Sequence, residues 1–379
     1  MKLYSTIIII WFTFLGIQAQ ESFVIKDVTL FDGETVIENT SVLIEDGIVK
    51  KVGKRIQGDY KIVDGNGKFL MPALTNCHVH SFMVPQLYEA ANAGVLNLID
   101  MHGLESMQHY MTNMRDQVGT ARLYRAGYAA TAPGGHGTQY GFDVPTLEKP
   151  EDAKQWIADR VEAGVDHIKI IVEPWKATIS HDIAKALIEE AHVQDKVAVV
   201  HISKKEDAYK VLSNGADGLV HIWGDGALPQ EQLDDLVANQ DFFVIPTILT
   251  NVLVQPLFYG KTAEETALVE EALLKEVKRL YDAGIPILAG TDPPNAEINM
   301  GTDLYKELIF FSKAGIPAVD VLKSATSLPA TKFNIGKTGF IKEGYIADML
   351  LLSKNPLETM DHISSIETIW KAGTVITKK

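Results

Sequence analysis

Between residues 71 and 336 the chain alternates two kinds of apolar pattern. Short continuous apolar runs occupy 95–100, 123–131, 165–172, 197–201, 218–221, 242–247 and 285–291. Runs of this length bounded by turn residues read as strands buried on both faces. Between them, apolar positions recur at helical spacing over 150–163, 181–194, 206–214, 230–239, 263–282 and 301–314. Several of these stretches end at or just before Gly or Asn, as helix C-termini do. With a further strand over 69–78 the alternation amounts to about eight strand–helix units, the number that closes a (β/α)8 TIM barrel. The expected fold class is α/β.

The two ends of the chain have another rhythm. Apolar stretches over 23–31, 41–45 and 48–52 are separated by the turn pairs Asp32-Gly33 and Asp46-Gly47, a hairpin pattern. The segment 339–379 has the same character, with a turn at Asn355-Pro356 between apolar stretches at 344–353 and 366–376. These ends predict a small β-sandwich domain built from 20–70 plus 337–379, beside a barrel over 71–336. Residues 1–19 read as a cleaved signal peptide: Lys2 is the positive region, 7–17 the apolar region, and Ile17-Gln18-Ala19 resembles a small-residue cleavage site. The apolar run is short for a membrane span. The expectation is a secreted or periplasmic protein with no stable membrane span after cleavage.

Composition narrows the partners. The 379 residues are 46% hydrophobic, enough for one large core and a smaller one. A net charge of −14 argues against nucleic acid and anionic membrane surfaces. The single cysteine, Cys77, permits no intrachain disulfide and reads as a buried core neighbour. The expected partner is a small-molecule substrate, and a homo-oligomer fits this class of barrel.

The candidate chemistry sits where the strand runs end, which is where such a barrel carries its active residues. The run 69–78 leads into His78-Val79-His80. Strand alternation turns positions 78 and 80 to one face, where two imidazoles can reach one divalent cation; two ordinary loop histidines also fit. Lys169 lies within 165–172, His201 closes 197–201, His221 closes 218–221 and Asp292 follows 285–291. Imidazole and carboxylate together suit zinc and similar ions. A lysine inside a barrel is desolvated, which lowers its pKa and frees a neutral amine able to take up carbon dioxide; a lysine paired with a carboxylate at the barrel mouth also fits. Asp292 could instead cap a helix ahead of Pro293-Pro294.

Other residues edge this constellation. After the third run, Thr131-Ala-Pro-Gly-Gly-His-Gly137 has glycines that allow close backbone approach and would hang His136 over the mouth. Tyr140 and the segment 247–254 read as pocket walls. His102 could edge the site, and His167 shares parity with Lys169 as a core group one layer lower. His109, His181, His192 and His362 read as surface residues.

This order of strand-end groups resembles that of the amidohydrolase superfamily over nearly the whole chain beyond the leader. The resemblance is carried by Pro72-Ala-Leu-Thr-Asn-Cys-His-Val-His80, by Gly290-Thr-Asp292 and by Gly344-Tyr-Ile-Ala-Asp-Met349. The Gly134-Gly-His-Gly137 loop resembles that of prolidase-like and Xaa-Arg/Lys dipeptidase-like members. The resemblance implies a hydrolase with two divalent ions, zinc being the expected metal. His78, His80 and Asp292 would hold one ion and His201 and His221 the other, with Lys169, as N6-carboxylysine, bridging both. Asp292 would move the proton of the attacking water, and His136 would hydrogen-bond the substrate carbonyl. His136, Tyr140 and Asn251 are the expected substrate contacts; Asn251 stands where dipeptidase-like relatives often place a tyrosine. Deaminases of the superfamily typically carry a glutamate three residues after the fifth-strand histidine, where this chain has Lys204. The expected reaction is hydrolysis of an amide bond in a small molecule, a peptide or N-acyl amino acid, with lactone, ester or cyclic-amide hydrolysis as the alternative.

Overall fold

The computed structural model describes residues 22–377, so the leader pattern at 1–19 lies outside the described residues. The N-terminal part forms β1 (Phe23–Phe31), β2 (Val36–Glu45), β3 (Ile48–Gly53), β4 (Lys61–Asp64) and β5 (Phe69–Pro72). The middle forms β6 (Leu74–Val79), β7 (Val95–Asp100), β8 (Arg122–Arg125), β9 (Ile168–Ile171), β10 (Ala198–His201), β11 (Gly218–Val220) and β12 (Phe243–Ile245). The C-terminal part forms β13 (Met349–Leu352), β14 (Ile366–Lys371) and β15 (Thr374–Val375).

Both chain ends meet in one eight-stranded sheet, in the order β15-β14-β13-β5-β1-β2-β3 with β4 beside β1. The β2–β3 hairpin turns at Asp46 and Gly47, whose φ angles of 50° and 76° are those a twisted two-residue turn demands. A separate apolar cluster, with Ile25, Leu30, Leu70, Met349, Leu351 and Trp370 at its centre, holds this sheet together across the two ends. The sheet includes β5, which runs to Pro72.

The middle is mixed α/β. Strands β6-β7-β8 form one parallel sheet and β9-β10-β11-β12 another. Two runs expected as regular strands differ. β8 stops at Arg125, short of Gly127, whose φ is 69°, and the chain resumes pairing at Ala130, whose N–H donates to Lys169 O at 2.8 Å. The run 285–291 forms no regular strand. It is nonetheless bonded on both flanks: Leu288 N–H donates to Val244 O at 2.9 Å, and Cys77 N–H to Ala289 O at 2.8 Å. Its irregularity has local causes. Pro286 lacks an N–H, and Gly290 passes so close to β6 that a Cβ there would lie 2.9 Å from the His78 nitrogen.

Strand alternation divides the core. One face of the middle strands, with Leu98, Leu123, Ile170, Val200, Leu219 and Val244, packs under helices. The other face, with Cys77, Ile99, Val199, Val220, Ile245 and Leu288, forms an inner cluster. The helices between the strands are α1 (Val84–Asn92), α2 (Glu105–Thr112), α3 (Ala153–Glu162), α4 (His181–Val193), α5 (Lys205–Ser213), α6 (Gln230–Asn239), α7 (Ile248–Tyr259), α8 (Ala263–Asp282) and α9 (Asp303–Lys313). α3 to α6, α8 and α9 match the helical spacing within about two residues. α8 begins with a capping box, Thr262 Oγ1 accepting from Glu265 N–H and Glu265 Oε2 from Thr262 N–H.

The helix α7 is not foreshadowed by the apolar pattern. Its sequence is apolar almost all round and carries Ile248, Thr250, Val252 and Val254, side chains that favour extended backbone. A long-range contact starts it. The buried Glu307 carboxylate on α9 accepts the N–H groups of Ile248 and Leu249, each at 2.8 Å, and so caps the helix from outside. No helix among the described residues is long and apolar enough to cross a membrane.

Candidate active site

The ends of β6, β9, β10 and β11 and the residue Asp292 converge on one buried spot. His78 Nε2 and His80 Nε2 lie 3.3 and 3.1 Å from the same Asp292 Oδ1. Neither contact has hydrogen-bond geometry, and Asp292 Oδ1 has no hydrogen-bond partner among the described residues. One ligand atom each from His78, His221 and Asp292 falls within 4.8 Å of the others. The His221 ring packs 4.9 Å from His78 and 4.6 Å from His201, centre to centre. Lys169 Nζ, buried among them, has no hydrogen-bond partner among the described residues.

Local backbone aims these groups. Asn76 clamps β6 to the stretch before Asp292: its Oδ1 accepts from His78 N–H at 3.2 Å and Thr291 N–H at 3.1 Å, and its Nδ2 donates to Thr291 Oγ1 at 2.7 Å. His221 and Asp292 have φ angles of 71° and 57°, and Thr247, beside His221, has 48°. Non-glycine residues held there cost about 1–3 kcal/mol each, strain that persists where the surrounding structure over-determines it.

A second set of contacts engages one ring nitrogen of His80, His221 and His201. His80 Nδ1 lies 3.0 Å from His102 O, and His221 Nδ1 lies 2.6 Å from Thr247 Oγ1. His201 Nε2 lies 3.0 Å from Glu173 Oε2, and Ser203 Oγ donates to Glu173 Oε1 at 2.8 Å. Metal-binding histidines are oriented by partners of this kind.

Electrostatics agrees with a cation site. Burial, with Lys169 or His201 as the next cause, holds His78, His201 and His221 well below the usual imidazole pKa, which leaves them neutral; His80, lowered by burial, is raised on balance by Asp292. Burial also lowers Lys169, to about 7, against the opposing pull of Asp292. Asp292 is pushed up by burial but lowered further by its contact with His80, and stays ionised. A carboxylate, neutral imidazoles and an unpartnered amine, all buried, leave lone pairs that only a cation or an added group would satisfy. The residues present therefore fit divalent metal.

Above this cluster lies a cavity of about 560 Å³, lined by His136, Tyr140, Trp175, Val254 and Phe258 among others. The His136 ring sits 4.9 Å from His201 and 5.6 Å from Trp175. Its loop is pinned twice: Thr131 Oγ1 donates to His136 O at 2.8 Å, and His102 Nε2 lies 3.0 Å from Gly137 O. His102 Nδ1 accepts from Ala129 N–H at 2.9 Å, so its ring latches two backbone segments at the edge of the site. Burial lowers His136 to about 4 and pushes Tyr140 up to about 12, leaving the first neutral and the second a hydrogen-bond donor.

All six expected metal ligands line one cavity, and the three whose ligand atoms fall within 4.8 Å of one another, His78, His221 and Asp292, come from both expected sets. His136 and Tyr140 line the cavity as expected. Asn251 lines an adjoining cavity that shares His201 and His221 with the first, and its Nδ2 donates to Pro246 O and Thr247 O, each at 3.1 Å, because it sits in the first turn of α7 where carbonyls of the preceding chain are within reach. His167 is buried against Phe333, as a core group, and burial lowers it to about 4. Cys77 is fully buried, which pushes its thiol up. Glu173 and Asn76 have no role in the strand-end pattern as read, and Thr247, expected as a pocket wall, contacts His221. Glu173 directly follows the apolar run 165–172, so the same strand-end rule points to it.

Comparison with known proteins bears on this geometry. The sequence model of the amidohydrolase family matches residues 261–377, a segment that contains Asp292. The ochratoxinase of Aspergillus niger is 22% identical over 90% of this chain and 83% of its own length. The fold is shared with a crystal structure of a candidate prolidase from Bifidobacterium longum, at TM-score 0.81 and 23% identity over 94% of this chain and 95% of that one. It is shared also with a Xaa-Pro dipeptidase with methionine bound in its active site, at TM-score 0.80 and 20% identity over 94% and 99%. The C-terminal segment 261–377 thus matches the amidohydrolase family, and over its length the chain is similar to the ochratoxinase and shares the fold of the solved prolidase and dipeptidase structures.

Proposed function

We propose that this hydrolase of carbon–nitrogen bonds cleaves an amide, in a dipeptide or N-acyl amino acid, with two divalent ions held by His78, His80, Lys169, His201, His221 and Asp292. The observation that carries the reading is Lys169: a buried amine with no partner, lowered to about 7, among neutral imidazoles and one carboxylate. A neutral amine there can accept carbon dioxide and become a carbamate, a two-oxygen anion able to reach two ions. The donor set suits zinc.

Bound ions would supply an acidified water and a Lewis acid for the carbonyl. The chain's own groups do the rest. Asp292, ionised and facing the cluster, accepts a proton and passes it to the leaving nitrogen. Gln139 Nε2 lies 3.2 Å from His136 Nδ1, which leaves His136 Nε2–H free to donate to the carbonyl oxygen as charge develops. The Tyr140 hydroxyl adds a second donor at the cavity wall. Tyr140 and Trp175 form part of the apolar wall beside the cluster.

The same reading treats the two parallel sheets, joined through Ala130 and through 286–292, as one (β/α)8 TIM barrel over 71–336. The eight-stranded sheet of β1 to β5 and β13 to β15 is its companion β domain. The leader pattern at 1–19 supports export to the periplasm or medium.

The test is a mass-spectrometric screen of the zinc-loaded protein against dipeptides, N-acyl amino acids, cyclic amides, esters and lactones, with Asp292→Asn as control. Cleavage of linear amides that disappears in the control is the expected result. Cleavage confined to esters or lactones would replace the amide reading.

A further inference from the structure

His102 lines the cavity beside the ligand cluster with both ring nitrogens engaged. It is buried and follows β7 by two residues. Its Nδ1 accepts the Ala129 N–H at 2.9 Å, so the ring proton sits on Nε2, which donates to Gly137 O at 3.0 Å. A neutral imidazole bonded in this way has no lone pair or proton left for a metal or a substrate. What it holds is backbone.

The backbone it holds carries His136. Before and at His136 the loop is fixed from elsewhere: Gly135 bridges to Ala177, and Thr131 Oγ1 donates to His136 O at 2.8 Å. Directly after His136, the bond from His102 Nε2 fixes Gly137. Gly134 and Gly137 have φ angles of 68° and 99°, and glycine moves easily through such backbone, so the loop has little stiffness of its own. The root of His102 is firm. The buried Asp100 accepts the His102 N–H at 3.1 Å and Gln108 Nε2 at 2.5 Å on Oδ1, and the Ser81 N–H at 2.5 Å on Oδ2. Ser81 follows His80, whose Nδ1 lies 3.0 Å from His102 O. One residue thus joins the ligand-bearing end of β6 to the loop that bears His136.

We propose that His102 is a positioning residue: its imidazole ties the Gly134–Gly137 loop to the end of β7 and so keeps His136 over the ligand cluster. The role needs an acceptor and a donor on one short, rigid ring. A carboxamide supplies one of the two in place. Asn reaches as far as Nδ1 and can accept from Ala129 N–H; Gln reaches as far as Nε2 and can donate to Gly137 O. Substitution leaves His102 O where it is, so the tie to His80 survives and metal binding is not what is lost. The part His136 plays in turnover rests on the amide-hydrolase reading; the claim about the loop stands apart from turnover.

Amide hydrogen exchange of the zinc-loaded protein, read by mass spectrometry, tests the tether. In His102→Asn, peptides covering 133–140 should exchange about tenfold faster than in wild type, while peptides over β9 and β10 and the bound zinc stay unchanged. His102→Gln should keep the wild-type rate over 133–140. His102→Leu, which fills the space and makes neither bond, replaces the Asn variant should that fail to fold. On the amide cleaved fastest in the screen, His102→Asn should lower kcat by about 10- to 100-fold with KM within about twofold, and His102→Gln should recover most of the loss. In a His136→Ala background the same Asn substitution should lower kcat by less than about twofold, because its effect passes through His136. An unchanged exchange rate over 133–140, or a kcat loss of the same size in the His136→Ala background, overturns the assignment. If the wild type cleaves no amide while the exchange results hold, the hydrolase reading falls and the loop tether stands.

Discussion

Lys169 and Lys371 are both deeply buried lysines with opposite surroundings. Lys371, at the end of β14, donates to three carbonyl oxygens, Arg115 O at 2.5 Å, Gln117 O at 2.6 Å and Thr120 O at 2.7 Å. One strand away the Arg122 guanidinium meets the Asp348 carboxylate, and Asp348 also accepts from Ala372 N–H at 2.7 Å. This seam, where the terminal sheet meets the α/β body, uses every donor of its lysine. Lys169 uses none. Burial lowers both amines, to about 8 and about 7, so desolvation alone does not tell them apart. The difference is completion: the seam is closed by protein groups, whereas the strand-end cluster is closed only when something is added to it.

The comparison breaks first at the two lysines. Lys169→Ala should lower activity by more than about 100-fold, the upper end of what loss of an outer-shell metal partner costs, together with bound metal measured by plasma mass spectrometry. Short carboxylic acids should restore part of both. Full metal and full activity without rescue would remove Lys169 from the site. Lys371→Met should instead cost about 2–4 kcal/mol of stability, since three buried carbonyls lose their donor. A denaturant titration reads this, and metal per folded molecule should not change. Loss of metal with unchanged stability would reverse the two roles.

A smaller effect separates orienting groups from ligands. Glu173→Gln should weaken metal affinity by about 10- to 100-fold, because His201 Nε2 loses its charged partner while Nδ1 keeps its place. Competition with a chelator of known affinity measures the change; an unaltered affinity would make Glu173 a wall residue only.

The smallest effect concerns Glu307, which caps α7. Burial raises its carboxyl from 4.5 to about 8, opposed by the two N–H bonds it accepts. A carboxyl raised on folding contributes stability that is fully present below pH 4.5 and lost as pH rises through about 8. Melting temperatures of wild type and Glu307→Gln should therefore converge or cross as pH rises over that window. A difference independent of pH would show that Glu307 acts as a neutral acceptor throughout.

The helices illustrate how far local pattern reaches. α6 begins and ends where 3.6-residue spacing places it, and α8 where spacing and its capping box do, because those signals lie within or beside each helix. α7 fails the same test because its cap, Glu307, lies 59 residues from Ile248. The strand over 285–291 fails for a related reason: its pairing is satisfied on both sides, but Pro286 and the close pass at Gly290 keep it irregular.

The site divides the same way. Residue type and strand-end position are written in the chain, so His78, His80, Lys169, His201, His221 and Asp292 are legible as candidate ligands. Which nitrogen each histidine offers is not, since it depends on His102 O, Thr247 Oγ1 and Glu173 Oε2 arriving from elsewhere. By itself the sequence determined the alternation of strands and helices and the chemistry at strand ends, because period and residue type act over a few neighbours. Only the tertiary structure decided that His221 joins His78 and Asp292, and that Lys169 is left without a hydrogen-bond partner among the described residues. Those outcomes depend on hydrogen bonds and packing between segments far apart in sequence, which no local period encodes.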